Sequence, residues 1–156
     1  RPFAPSILVE DLKDWFYLDI ESPYMLLVGQ IKSNKKYLPK KKKQNLFGFE
    51  KLNFKRSEIP AVTHVDYSSR IQTVDKKTNP RFHSLISKFK EKTGCPVLVN
   101  TSFNVRGEPI ILSPQDAFRC FMGTGLDILV IENFFLKKKE QSKQLINNYK
   151  MNFEAD

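Results

Sequence analysis

The chain opens with Leu8, Leu12, Trp15 and Phe16 at helical spacing, and Ser6 stands where a side chain can cap a first turn, so a helix is expected from Ser6 to about Tyr17. Met25 to Ile31 is a continuous apolar run behind Ser22-Pro23, short enough to be a buried strand. From residue 32 to 58 the periodicity disappears, Pro39 and Gly48 interrupt the chain and lysines concentrate, which predicts a loop or lid. After Pro60, the runs Ala61 to Val65 and Arg70 to Val74 flank Asp66-Tyr67-Ser68-Ser69 and predict a hairpin. Asn79-Pro80 then opens a helix with Phe82, Leu85, Ile86 and Phe89 on one face, and Gly94 closes it. Pro96 to Val99 reads as a buried strand running into a polar loop that ends at Pro109. Ser113-Pro114 starts a helix with Ala117, Phe118 and Phe121 inward, Ile128 to Ile131 is a last buried strand, and residues 137–156 form a basic tail of helical character. Strands too apolar to have a face in water alternate with amphipathic helices, so the expected class is α/β, a layer fold built on a mixed sheet.

At 156 residues and 40% hydrophobic content the chain suits one domain with its own core, placed at residues 1–136 ahead of the tail. No apolar run approaches the roughly 20 residues that span a bilayer, and no secretion leader is recognisable. A soluble, cytoplasmic protein with no membrane partner is expected. Cys95 and Cys120 have no ligand-like spacing around them and read as reduced structural thiols. The net charge of +9 asks for an anionic partner, but much of it is local. Lys35, Lys36 and Lys40 to Lys43 form one cluster, and Lys137, Lys138, Lys139 and Lys143 another. Both read as solvated stretches in preference to a nucleic-acid surface, and the segment from Lys35 to Lys43 is expected to be dispensable for the fold.

The chemistry concentrates where the strand ending at Val99 meets Asn100-Thr101-Ser102-Phe103-Asn104-Val105-Arg106-Gly107-Glu108-Pro109, since open α/β sheets bind ligands at strand ends. Asn100, Ser102 and Asn104 alternate and offer amide and hydroxyl groups, while Arg106 brings a planar cation suited to phosphate. The competing reading is a turn rich in Asn and Ser that bonds its own backbone. A second stretch runs from Pro60 to Val74. In it, His64 is either a satisfied core histidine or a site residue, and Arg70 either pairs with a carboxylate or faces the same anion as Arg106. Arg1, ahead of a rigid Pro-Phe-Ala-Pro turn, is a third candidate cation. No Walker loop, dinucleotide fingerprint or histidine-based metal motif is present, so a nucleotide would be held by arginines and strand-end polar groups.

Taken in order, Arg1-Pro-Phe-Ala-Pro-Ser, Ser22-Pro-Tyr-Met, Ile59-Pro-Ala-Val-Thr-His-Val-Asp, Arg70-Ile-Gln-Thr-Val and Asn100-Thr-Ser-Phe-Asn-Val-Arg-Gly-Glu-Pro-Ile resemble the C-terminal domain of nodulation-type and antibiotic-tailoring O-carbamoyltransferases. The resemblance continues through Ser113-Pro and Thr124-Gly-Leu-Asp to about Phe134. It implies a YrdC-like domain, a twisted mixed sheet with flanking helices, working beside a Kae1-like transferase domain supplied in cis or in trans. The implied activity is conversion of carbamoyl phosphate and ATP into carbamoyl adenylate, with phosphate and pyrophosphate released, and transfer to a hydroxyl performed by the Kae1-like partner. Mg²⁺ would accompany the ATP phosphates, and the family's iron would belong to the Kae1-like domain. By the same resemblance Arg70 and Arg106 are the catalytic cations, and Arg1, Thr63, Arg70, Asn100, Ser102 and Arg106 contact nucleotide or carbamoyl phosphate.

Two departures stand out. Asp66-Tyr67 occupies a turn where the family usually has Asp-Gly, and the family's Gly-Pro-Arg-containing segment, which belongs to the site, would lie upstream of Arg1. The resemblance thus implies an N-terminally truncated domain. A docking fragment for a Kae1-like partner and an RNA-binding YrdC-like module are the alternative readings. Exposure of Arg70 and Arg106 bears on the first, and a continuous basic face with exposed aromatics on the second.

Overall fold

The computed structural model describes residues 3–38, 47–105 and 107–142, the side chains of 50–52 apart. The chain divides into two compact units, Arg1–Thr101 and Ser102–Asp156.

The first unit is built on a mixed sheet in the order β2-β3-β4-β1-β5. Its strands are β1 (Ala4–Leu8), β2 (Phe16–Tyr17), β3 (Leu27–Ile31), β4 (Ser68–Val74) and β5 (Val97–Asn100). β1 lies parallel to β4 and antiparallel to β5, while β3 runs antiparallel to both β4 and β2. One face carries the main core, in which Ile7, Ile31, Ile71 and Val97 from four strands pack with Leu12, Trp15 and Phe16. On the other face Leu8 and Val74 pack against Ile86 of helix α3 (Pro80–Thr93).

Three expectations need correction here. The helix expected from Ser6 starts only at Leu12, because residues 4–8 form β1, with every residue buried, and a 3-10 turn at Val9–Asp11 leads into the short helix α1 (Leu12–Trp15). Ser6 is fully buried in the sheet and caps nothing. A strand covered on both faces has no period-2 alternation to read, so a few leucines at helical spacing misplace it.

The expected hairpin is absent as well. Pro60–Val62 is a 3-10 turn, and β4 pairs with β1 and β3 instead. Side chains and local backbone bonds together satisfy this stretch: Ser57 Oγ accepts from the Ile59 N–H at 3.0 Å, Ser69 donates to the Val62 carbonyl at 2.7 Å, and the Thr63 N–H donates to the Pro60 carbonyl at 3.3 Å. A turn does precede β4, closed by the Tyr67 N–H on the His64 carbonyl at 3.0 Å, and Tyr67 adopts φ 65° there. That left-handed backbone is one glycine adopts freely and a β-branched residue resists. Tyr67→Val is therefore expected to be less stable than Tyr67→Gly by about 1–2 kcal/mol, read by urea denaturation, since both variants lack the ring and differ in backbone strain.

Third, part of the lysine-rich segment is built into the fold. Lys36 bridges to Ser57, the Tyr37 N–H donates to the Arg56 carbonyl at 2.6 Å, and Lys35 pairs with Glu58 at 3.1 Å. The ammonium groups of Lys32, Lys35, Lys36 and Lys55 lie over Tyr17, Trp15, Tyr67 and Tyr37. Deletion from Lys35 would remove all of these contacts except that of Lys32 with Tyr17, whereas Lys40 to Lys43 lie outside the described residues. Helix α2 (Gly48–Asn53) also falls within the stretch expected to be a loop.

Helix α3 matches its sequence signals. The Asn79 side chain accepts from the Phe82 N–H, and Gly94 ends the helix at φ 75°. Ile86 is the buried member of its expected inner face, and Leu85 is exposed.

In the second unit, helix α4 (Pro114–Gly123) starts at a reciprocal cap between Ser113 and Asp116, and Ala117, Phe121 and Met122 pack on Leu129. Leu129 lies in β6 (Ile128–Ile131), which pairs only with β7 (Phe134–Lys137), a strand the apolar pattern did not reveal. Ile128 and Val130 are consequently exposed, so β6 is half-buried where a buried strand was expected. Lys138–Glu140 forms one 3-10 turn, and residues 143–156 of the expected helical tail lie outside the described residues. Among the described residues no helix is long and apolar enough to cross a membrane.

Candidate ligand-binding face

Helix α3 covers only one end of its face of the first unit's sheet. Beyond it, the alternation of strand side chains puts Ser6, Arg70, Gln72 and Asn100 on that same face. Ser6 is level with Gln72, and Asn100 is opposite Ala4. Two positions back along the parallel pair, Ala4 is level with Arg70, so Asn100, Ala4 and Arg70 form one row across β5, β1 and β4. Asn100 and Arg70 are thus two strand spacings apart, about 10 Å. Ala4, the small residue between them, is buried. Val28, paired with Arg70 on β3, extends the row with an exposed apolar side chain.

Arg70 is exposed and makes no ion pair or side-chain hydrogen bond among the described residues. An unneutralised guanidinium beside strand-end polar groups is suited to an anion, and its fork can take two phosphate or carboxylate oxygens at once.

The neighbouring polar groups are connected. Gln72 Oε1 accepts from Ser6 Oγ and from Asn100 Nδ2, both at 2.6 Å. Gln72 Nε2 donates to the Pro23 carbonyl at 3.2 Å, and Asn100 Nδ2 also lies 3.8 Å from Met25 Sδ. The segment from Ser22 to Met25 is pinned to β4. The Thr73 N–H donates to the Ser22 carbonyl at 3.0 Å, and the Ser22 N–H to Thr73 Oγ1 at 2.9 Å. Reading the sequence for candidate residues missed Ser6, Gln72 and Pro23. The available signal was the spacing of Arg70 and Gln72, two apart in one strand and so on one face of it.

Thr63 is in a different role. It is buried, its hydroxyl donates to the Ile59 carbonyl at 2.7 Å, and Ser57 Oγ lies 2.7 Å from Thr63 Oγ1. Its side chain is engaged in the fold. Thr63→Val should cost about 1–3 kcal/mol in chemical denaturation, because a buried carbonyl and a buried hydroxyl lose their partner while side-chain volume is kept.

His64 also belongs to a turn. Ser68 Oγ donates to Asp66 Oδ1 at 2.7 Å, so at the 3.0 Å contact with Ser68 Oγ the His64 Nδ1 must be the donor. Bonds from the Ser68 hydroxyl and backbone N–H hold the Asp66 carboxyl below its ordinary value.

In the second unit, Ser102 is exposed. Asn104 Nδ2 donates to the carbonyls of Val105, at 3.2 Å, and Glu108, at 2.9 Å. Glu108 accepts the Val105 N–H through its carboxylate, and Gly107 takes φ 80° in the turn. For Asn104, then, the self-bonded turn is what forms. Arg1 and Arg106 lie outside the described residues.

The first unit is thus an α/β domain whose sheet carries, on one face, an exposed arginine beside a linked amide and hydroxyl network. Comparison with known proteins is more specific. Residues 1–138 match the family model described as the carbamoyltransferase C-terminus, and the chain belongs to that family. It is 52% identical to the Synechocystis protein sll1178, over all of this chain and 26% of that protein. It is 39% identical to the nodulation protein NolO of Bradyrhizobium diazoefficiens, over 92% of this chain and 23% of that one. It is 34% identical to the 3'-hydroxymethylcephem-O-carbamoyltransferase of Amycolatopsis lactamdurans, over 90% of this chain and 23% of the enzyme. The chain therefore spans about a quarter of the length of these relatives.

Proposed function

We propose that this chain activates carbamoyl phosphate with ATP to give carbamoyl adenylate, as one half of an O-carbamoyltransferase whose other half is a Kae1-like domain. The observation that carries the reading is Arg70, an exposed cation without an ionic partner among the described residues, in one row with Asn100. Family membership supplies the carbamoyl group, and the residues supply a place for its phosphate.

The balance of atoms requires one water. Water and carbamoyl phosphate give carbamate and phosphate, then a carbamate oxygen attacks the ATP α-phosphorus and pyrophosphate leaves. Both steps place charge on phosphate oxygens, where a preorganised guanidinium acts. Arg70 is assigned to those oxygens, and by family resemblance Arg106, Ser102 and Arg1 share the task. Among the described residues no group of three or more His, Cys, Asp or Glu side chains is placed to hold a metal. By the family resemblance Mg²⁺ would accompany ATP on its phosphates. The exposure of Arg70 also speaks for a binding role over one of docking alone.

The test is exchange of labelled pyrophosphate into ATP by the protein as encoded. Exchange that depends on carbamoyl phosphate is the expected result, and its absence overturns the reading.

A further inference from the structure

Amide side chains can present either an acceptor or donors, and here a single backbone atom decides which. The Pro23 carbonyl can only accept, so the Gln72 atom 3.2 Å from it must be the amide nitrogen. That leaves Gln72 Oε1 toward Ser6 and Asn100, each at 2.6 Å. An oxygen acceptor at that distance requires Asn100 to offer its Nδ2, whose remaining hydrogen faces Met25 Sδ at 3.8 Å. Both Asn100 N–H groups are thereby engaged. Its Oδ1 has no partner among the described residues, and it is not one of their buried unpartnered atoms.

Asn100 therefore meets a ligand as an acceptor. It is unsuited to phosphate oxygens, which also only accept, and suited to an N–H donor. Arg70 in the same row requires the opposite, an anion.

Resting on the activation reading above, we propose that Asn100 Oδ1 receives the N–H of the carbamoyl amino group and that Gln72 is the positioning residue that fixes this polarity. Carbamoyl phosphate joins an amino group to a phosphate through a single carbon, so its two ends suit the Asn100 acceptor and the Arg70 cation of one row. Acetyl phosphate has nearly the same shape with a methyl in place of the amino group. It leaves the Asn100 oxygen facing a group that cannot donate, which is how such a site rejects an analogue. The proposal gives this pair the choice between carbamoyl and acyl substrates, a selection that Arg70 cannot make.

The experiment measures binding of carbamoyl phosphate and of acetyl phosphate to the protein by titration, in the unaltered form and in Gln72→Met, Asn100→Leu and Arg70→Ala. The unaltered protein should prefer carbamoyl phosphate by about tenfold or more. In Gln72→Met the Asn100 amide is free to turn, and the preference should fall to within about threefold while acetyl phosphate binds as before. Asn100→Leu should show the same loss of preference, so either variant alone decides the matter if the other fails to fold. Arg70→Ala should weaken both ligands together and leave their ratio in place. Equal binding of the two phosphates by the unaltered protein, both weakened by Arg70→Ala, would overturn the acceptor assignment and leave the activation reading standing. A preference that survives in Gln72→Met removes the role of Gln72. Binding of neither ligand overturns the activation reading itself.

Discussion

Arg70→Ala is expected to lower carbamoyl-phosphate-dependent pyrophosphate exchange by about 10²–10³-fold, and Arg106→Ala by a similar factor, the range found when one preorganised group facing developing oxyanion charge is removed. Arg70 has no ionic partner among the described residues. Its loss therefore breaks no structural ion pair there and should leave the melting transition in place. That separation makes the result readable. A fall in kcat with little change in KM would put the arginine on charge that develops in the transition state, and a rise in KM alone would limit it to holding the ground-state phosphate. Exchange indifferent to both substitutions would remove the arginines from the mechanism. In the same preparations the isolated chain should form no carbamate ester on a hydroxyl acceptor, because transfer needs the acceptor held against the activated carbonyl in a water-excluding site. Ester formation by this chain alone would overturn the division of labour with a Kae1-like domain.

Phe16→Ala should be among the most destabilising single changes, at about 3–5 kcal/mol, a large part of the total stability of a domain of this kind. Phe16 is completely buried, faces Ile31 across the β2–β3 pair and packs among Ile7, Trp15 and Ile71. Its removal leaves a cavity under β4, behind the face that carries Arg70. Equilibrium denaturation in urea gives the loss directly. A cost below about 1 kcal/mol would mean that the surrounding side chains collapse into the space, and that the cluster is less tightly packed than its burial implies.

Much of the local architecture was legible. Asn79-Pro80 with Gly94, and Ser113-Pro114 with Asp116, mark helix ends through bonds made within a few residues, so sequence and structure agree there. The strands at Leu27–Ile31 and Val97–Asn100 were visible as short apolar runs. The first strand was not, since Ala4 to Leu8 is buried on both faces and carries no period of its own. The supposed hairpin failed because β4 has its neighbours at β1 and β3, remote in sequence, while residues 60–63 close a turn through their own backbone, with the Val62 carbonyl taken by Ser69.

For the site, the sequence alone determined the residue types: an arginine two positions before a glutamine in one strand, an asparagine at the end of another, and the ordered motifs that identify the family. It could not determine which of them share a face. Strand order 4-1-5 brings Arg70, Ala4 and Asn100 into one row, and that order depends on pairings between residues 66 to 96 positions apart, which no local propensity encodes. Nor could it assign Thr63 to the fold or set the polarity of Asn100. Those depend on single hydrogen bonds to Ile59 and, through Gln72, to Pro23, and an amide or a hydroxyl takes its role from whichever partner the tertiary structure places beside it.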